Sequence, residues 1–197
     1  MHNTLQRNLF FVKEALRIFK ASNNFDVLDP QTQQVLMNCR EPNLGFFTKM
    51  LRFTDYKRMT PFDIIITTPS GEKILRVKRG ISIFLSTVEV FDENDVLVGT
   101  FKQKFFSIGG RFDILNKENT VVCSLKGKWT SWEFKFINLN TNEEYAKVTK
   151  KWAGIGRELF TSADNYILEI DGKVSPTNPI RVLILAAVMC IDMVLKE

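Results

Sequence analysis

Cations that recur on successive candidate strands, several of them at alternating positions, are the residues of this chain whose types and spacing best suit a chemical role. They are Arg76 and Lys78, Lys102 and Lys104, Lys126 and Lys128, then Lys147, Lys150, Lys151 and Arg157. Alternate residues of a strand point the same way, so strands carrying such pairs can bring several cations to one face. The chemistry of that face would be recognition of anions. Beside a negatively charged bilayer each Lys or Arg contributes on the order of 1 kcal/mol, so four or five could hold a protein at the surface. The plainer reading is solvated strand faces, with lysines that keep sheet edges from pairing.

Side chains for catalysis are scarce. His2 is the one histidine and sits at the start of the chain, which removes Ser/His/Asp and Cys/His catalysis and most histidine-bearing metal sites. No G-x-x-x-x-G-K phosphate loop occurs, and Gly154-Ile155-Gly156 lacks the rest of a dinucleotide fingerprint. No acidic pair stands out. Cys39, Cys123 and Cys190 are odd in number, far apart and without C-x-x-C spacing, so neither a disulfide framework nor a zinc site is suggested. A protein that is not an enzyme, has no cofactor and works in a reducing, intracellular setting is expected.

The cations need strands to position them, and the middle of the chain supplies these. Trp132, Phe134 and Phe136 fall on one face of a run whose other face carries Ser131, Glu133 and Lys135, the alternation of a half-buried strand. Turn residues recur at Thr68-Pro69-Ser70-Gly71, Asp92-Glu93-Asn94-Asp95, Asn116-Lys117-Glu118-Asn119 and Asn140-Thr141-Asn142, about 24 residues apart, and Asp164-Asn165 falls on the next beat. Each period holds two strands and a second turn, such as Arg79-Gly80, Gly109-Gly110 or the Gly127 region, giving about ten to twelve antiparallel strands.

So many strands remove their edges by closing, and a wide closed barrel needs a filling. From Val182 to Ile191 the chain is unbroken apolar, about half of the roughly 20 residues a membrane-spanning helix needs. Its apolar residues spread around the whole helix, as suits one enclosed on all sides. The fold expected is therefore mainly β, one domain over residues 1–197, a closed antiparallel barrel around a core helix at 180–195. With 17 Phe, 3 Tyr and 45% hydrophobic residues, the interior is aromatic-rich.

Residues 1–20 admit two readings. Leu5, Leu9, Val12, Leu16 and Phe19 share one face of a helix with Arg7, Lys13, Arg17 and Lys20 outside it, an amphipathic pattern that can lie on a membrane. Alternatively, Phe11 to Phe19 makes the first barrel strand, with the first hairpin turning at Asp29-Pro30-Gln31-Thr32. The apolar cluster Leu9-Phe10-Phe11-Val12 is too short for a signal-peptide core. Trp132 and Trp152 read as core, and Trp129 is left between core and membrane interface.

A K-x-x-K-x-W-x-G-x-x-R-E-x-F-T-x-A-D-N pattern runs from Lys147 to Asn165, followed by an apolar helix with one internal Asp, Asp192; Asn24-Phe25-Asp26-Val27 and Cys39-Arg40-Glu41-Pro42 extend the likeness upstream. In these residues the chain resembles the phospholipid scramblases, a branch of the Tubby-like (LURP-one-related) barrel superfamily. The resemblance implies a barrel wrapped around a central hydrophobic helix. It also implies a calcium site in the acidic stretch after Ser162, with Asp164, Asn165, Glu169 and Asp171 as ligands for an ion that takes six to eight oxygens. Here Ser162 replaces the first Asp, Lys173 stands where a late acid is expected, and Ile167 replaces the glycine of a sharp calcium-binding loop. A turn-forming Asp-Asn at a strand entry explains the stretch as well.

The net charge of +5 and pI near 9.1 suit anionic surfaces without selecting one. Two functions remain. One is a scramblase-like protein on anionic phospholipid membranes, peripheral on the cytoplasmic face of the plasma membrane, promoting energy-independent lipid movement between leaflets. The other is a Tubby-like binding module for a phosphorylated headgroup, a protein or nucleic acid, with no scrambling. The resemblance to animal scramblases implies a Pro-rich amino-terminal extension and a cysteine cluster suited to palmitoylation, and their absence from this sequence shifts the expectation toward the module. Nucleic acid is the weakest partner, because exposed aromatics do not interleave with Arg.

Overall fold

The computed structural model describes residues 2–14, 24–42, 45–54, 59–81, 86–103, 111–128, 132–150 and 165–191. Twelve strands form the wall: β1 (Leu9–Glu14), β2 (Phe25–Leu28), β3 (Val35–Arg40), β4 (Phe62–Thr67), β5 (Lys73–Arg79), β6 (Thr87–Asp92), β7 (Leu97–Gln103), β8 (Arg111–Asn116), β9 (Val121–Lys128), β10 (Glu133–Ile137), β11 (Glu144–Thr149) and β12 (Asn165–Ile170). Each pairs antiparallel with its sequence neighbour, and β12 pairs with β1 to close the barrel. A 3-10 turn at Asn3–Gln6 precedes β1, and two helices complete the described elements, α1 (Phe46–Leu51) and α2 (Ile180–Cys190).

One end of the barrel is built by a single device repeated. The hairpins β2–β3, β4–β5, β6–β7, β8–β9 and β10–β11 each contain one residue with left-handed backbone: Gln33, Gly71, Asp95, Asn119 and Asn142. Each also carries a register shift where it leaves the ladder, the bulge that accompanies short loops with one αL residue. The first polar side chain of each turn ties the loop together. Asp29 Oδ1 accepts from the backbone N–H of Gln31 and Thr32, Asp92 Oδ1 from Asn94 and Val96, Asn116 Oδ1 from Thr120, Asn138 Oδ1 from Asn140, and Thr68 Oγ1 from Glu72. This chemistry is the source of the 24-residue beat.

The inward side chains, among them Ile64, Ile66, Val77, Val90, Phe101, Ile114, Phe134, Phe136, Val148 and Leu168, form one cluster with α2. Every residue from Ile180 to Met189 is buried, so the helix has no solvent face and fills the barrel. Wall and helix meet closely at Gly99, where an added Cβ would lie 2.2 Å from the Leu115 carbonyl oxygen and about 3 Å from Leu183. At the entry of α2 the Arg181 side chain is 1% exposed. It donates to the carbonyls of Arg7 (2.9 Å), Val174 (2.8 Å) and Ser175 (3.0 Å) and to Asn8 Oδ1 (2.6 Å), and burial pulls its pKa down. Those bonds tie the amino-terminal segment to the helix and satisfy a cation that would otherwise be costly to bury. Cys39 and Cys123 lie in the core, where desolvation pushes both thiols up to about 12.

Four expectations are corrected. Residues 9–14 are strand, so the amphipathic helix is overturned for the described part of the amino terminus; residues 15–19 lie outside the described residues. The turn at Asp29-Pro30-Gln31-Thr32 joins β2 to β3, so one more strand precedes it than the sequence suggests. Gly127 is not a turn but lies in β9, opposite Phe134, whose ring an added Cβ would meet at 2.1 Å. Asn165 is the first residue of β12, at the end opposite the regular turns, so the fifth beat fails there. Asp164, Gly109 and Gly110 lie outside the described residues, as do residues 192–195 of the expected core helix, with Asp192.

Candidate anion-binding site on the barrel wall

Antiparallel pairing brings the positions of four cations into line. Arg111 on β8 is the register partner of Lys126 on β9, Lys126 of Lys135 on β10, and Lys135 of Lys147 on β11. With strands about 4.8 Å apart, the row spans about 14 Å of wall. Like charges directly opposite one another are destabilising, so the row needs compensation from the protein or from a ligand. Some comes from carboxylates at its margin. Lys135 Nζ lies 2.9 Å from Glu144 and 3.8 Å from Glu133, and Lys147 Nζ lies 3.7 Å from Glu169. The Glu144 hydrogen bond, then its charge, holds the Lys135 ammonium above its usual pKa. These pairs are half-exposed and so weak. Lys126 has no ion pair among the described residues.

The cations on the β4–β7 side have a different environment. Arg76 grips Asp63 with two hydrogen bonds, Nε to Oδ1 at 2.7 Å and Nη2 to Oδ2 at 2.6 Å, and reaches Asp95 as well. These contacts, the Asp63 hydrogen bond first, raise its pKa against the opposing effect of burial. Lys78 has Asp63 and Glu89 as its register partners. Lys102 faces Asp113 across the ladder and donates to Asn119 Oδ1 at 3.0 Å. Arg76, Lys78 and Lys102 are thus expected cations that do not join the row. Lys128 ends β9 at the same end as the row. Lys104, Lys151 and Arg157, with Trp129 and Trp152, lie outside the described residues.

Lys150 follows β11 at the barrel mouth. Its ammonium sits 3.4 Å from the Trp132 ring centroid and 5.3 Å from that of Tyr166, whose rings are 5.7 Å apart. A cation over two aromatic faces is well stabilised, and Trp132 is half-buried against the core.

The calcium reading gains nothing from the described residues. Asn165 and Asp171 stand six positions apart at opposite ends of extended chain, about 20 Å. Glu169 faces Lys147, and Asp171 Oδ1 accepts from the backbone N–H of Lys173 at 2.8 Å. Among the described residues no three His, Cys, Asp or Glu side chains cluster as a metal site would require.

Charge also divides along the barrel axis. The regular turns and the 171–179 segment carry Asp29, Glu72, Glu93, Asp95, Glu118, Glu143 and Asp171 against Lys117 and Lys173. The row lies within two residues of the opposite strand ends.

A closed twelve-stranded antiparallel barrel filled by a carboxy-terminal helix is the Tubby-like architecture. The X-ray structure of a protein from Arabidopsis thaliana has this fold, with a TM-score of 0.56 and 14% identity over 94% of this chain and 90% of that one. The family profile described as Scramblase matches residues 7–197, and the chain belongs to the scramblase family. It is 22% identical to human phospholipid scramblase 2 over 166 residues, 78% of this chain and 54% of that protein. It is 25% identical to human phospholipid scramblase family member 5 over 125 residues, 57% of this chain and 46% of that protein. The chain therefore spans about half the length of these relatives.

Proposed function

We propose that the protein is a peripheral, non-enzymatic lipid-binding barrel that docks on anionic phospholipid surfaces through the row that Lys126, Lys135 and Lys147 form across β9, β10 and β11. The observation that carries this reading is the placing of four cations at opposing register positions across four strands, where a soluble wall would alternate signs. An anionic headgroup array neutralises such a row at once. The names of the human relatives support lipid as the partner, and a cytoplasmic, membrane-peripheral location follows from it.

Lipid movement between leaflets is assigned to this chain only as an action at the bilayer surface. Among the described residues no helix is long and apolar enough to cross a membrane. The enclosure of α2 inside the wall favours the second reading, a binding module without scrambling.

Flotation with phosphatidylcholine vesicles, and with vesicles also containing phosphatidylserine, across a salt series tests the reading. Binding only to the anionic vesicles, weakening with salt, is expected. Equal flotation with both, or with neither, contradicts it. A fluorescent-lipid quenching assay on the same vesicles then separates the two readings: accelerated exchange supports scrambling, and an unchanged rate leaves the binding module.

A further inference from the structure

Among the described residues, large apolar side chains exposed to solvent gather at one end of the barrel. Met50 (57% exposed), Leu51, Phe53 (69%) and Met59 lie between β3 and β4, and Ile81 (78%) follows β5. At the opposite end Val35, Val96 and Leu139 are exposed singly, one at each of three hairpins, which is ordinary for a protein surface. Clustered apolar exposure marks a contact surface.

Two buried arginines draw these segments together. Arg52, between Leu51 and Phe53, donates through Nε to Thr60 Oγ1 at 3.3 Å and through Nη2 to the Pro61 carbonyl at 2.7 Å, next to Met59. Arg79, two residues before Ile81, donates to the Thr60 carbonyl at 2.5 Å and lies over the Phe62 ring. Thr60 is therefore the junction of all three segments. Beneath it Arg52 pairs bidentately with Glu41, the two side chains being 3% and 1% exposed. A buried ion pair contributes little net stability compared with apolar packing, so its use here is positional: it holds an apolar rim in a fixed shape.

We propose that this rim, with Phe53 and Ile81 at its most exposed points, is a membrane-insertion tip that enters the boundary between headgroups and acyl chains of an anionic bilayer. The occupant is indicated by charge. Lys49 on α1 is exposed beside the tip, and the row of Lys126, Lys135 and Lys147 lies toward the same end of the barrel, across it from the tip. Cations around an apolar insertion suit an anionic interface, where the tip enters the bilayer and the ammonium groups remain at headgroup level. The inference rests on the lipid-binding reading above and adds an orientation: the regular, acidic turns face away from the membrane.

The test uses the full chain with a polarity-sensitive fluorophore on Ile81→Cys and, separately, on Val96→Cys at the other end. Buried Cys39 and Cys123 react slowly, and mass spectrometry of the labelled chain verifies the site. On vesicles containing phosphatidylserine, the label at 81 is expected to shift to the blue and to be quenched by lipids brominated in the acyl chain, while the label at 96 stays in water. Phe53→Ser combined with Ile81→Ser, both exposed and so tolerated by the fold, is expected to weaken partitioning about tenfold or more. It should also make the remaining binding fully reversible by salt. Flotation with the label at 81 still in water overturns the tip and leaves the lipid-binding reading standing. Absence of flotation overturns both. An unchanged partition of the double serine variant overturns the tip alone and turns the search toward a protein that covers this rim.

Discussion

The two sides of the barrel wall handle cations in opposite ways. On β5, Arg76 is gripped by Asp63 and approached by Asp95, and Lys78 stands opposite Asp63 and Glu89. On β8 to β11, the positions of Arg111, Lys126, Lys135 and Lys147 stand opposite one another in register, and among the described residues the carboxylates near Lys135 and Lys147 lie at the row's margins. A cation facing a carboxylate acts inside the fold, joining strands. A cation facing a cation costs the fold, and on the proposed function a bound anion offsets that cost. Net charge cannot reveal this difference; register can.

The comparison predicts separable effects. Arg52→Leu leaves the buried Glu41 carboxylate without the guanidinium that faces it, and thermal or denaturant unfolding should register a loss of about 3 to 5 kcal/mol; a loss below about 1 kcal/mol would mean the pair is not held as described. Replacing Lys126, Lys135 and Lys147 together by Gln removes about 1 kcal/mol of surface attraction for each. Vesicle affinity should then fall about a hundredfold, with a shallower salt dependence and no loss of stability. Relief of repulsion within the row would show as a small gain in melting temperature.

Arg76→Gln breaks a half-exposed bidentate pair. About 1 kcal/mol of stability or less should disappear, with vesicle binding unchanged within error. Lys150→Gln removes a cation from the Trp132 and Tyr166 rings, a change of about 1 kcal/mol in unfolding free energy, and a shift in Trp fluorescence reports it.

Much of the architecture was legible because local chemistry repeats. Asp29, Thr68, Asp92, Asn116 and Asn138 each close a turn on their own backbone, so side chains visible in the sequence mark five hairpins. The filling helix was legible because Ile180 to Met189 has almost no polar face to place outward. The amino terminus misled for a physical reason. Phe10 and Val12 enter the main core while Phe11 joins a second cluster with Leu28 and Ile167 on the outer wall, so β1 is buried on both faces and loses the alternation by which a strand is recognised.

The register of the proposed row was half legible. Lys126 and Lys147 were candidates from their spacing, whereas Lys135 was noted only as lying on the polar face of its strand, and Arg111 was missed. The signal was present: Lys135 and Lys147 lie six residues on either side of Thr141 in the Asn140-Thr141-Asn142 turn, and a hairpin folded there sets them opposite. Arg76, Lys78 and Lys102 stand apart from the row in register, which the sequence did not reveal because strand identity alone does not say which carboxylate lies across the ladder.

The most direct test of the two-sided wall is a side-by-side salt titration of vesicle binding. It compares the unaltered chain, the triple variant Lys126→Gln, Lys135→Gln, Lys147→Gln, and the double variant Arg76→Gln, Lys78→Gln on identical phosphatidylserine-containing vesicles. Loss of affinity and a flattened salt slope in the triple variant, with the double variant matching the unaltered chain, is the result predicted. Equal losses in both variants would show that the wall binds by net charge alone and that the row contributes nothing particular to it.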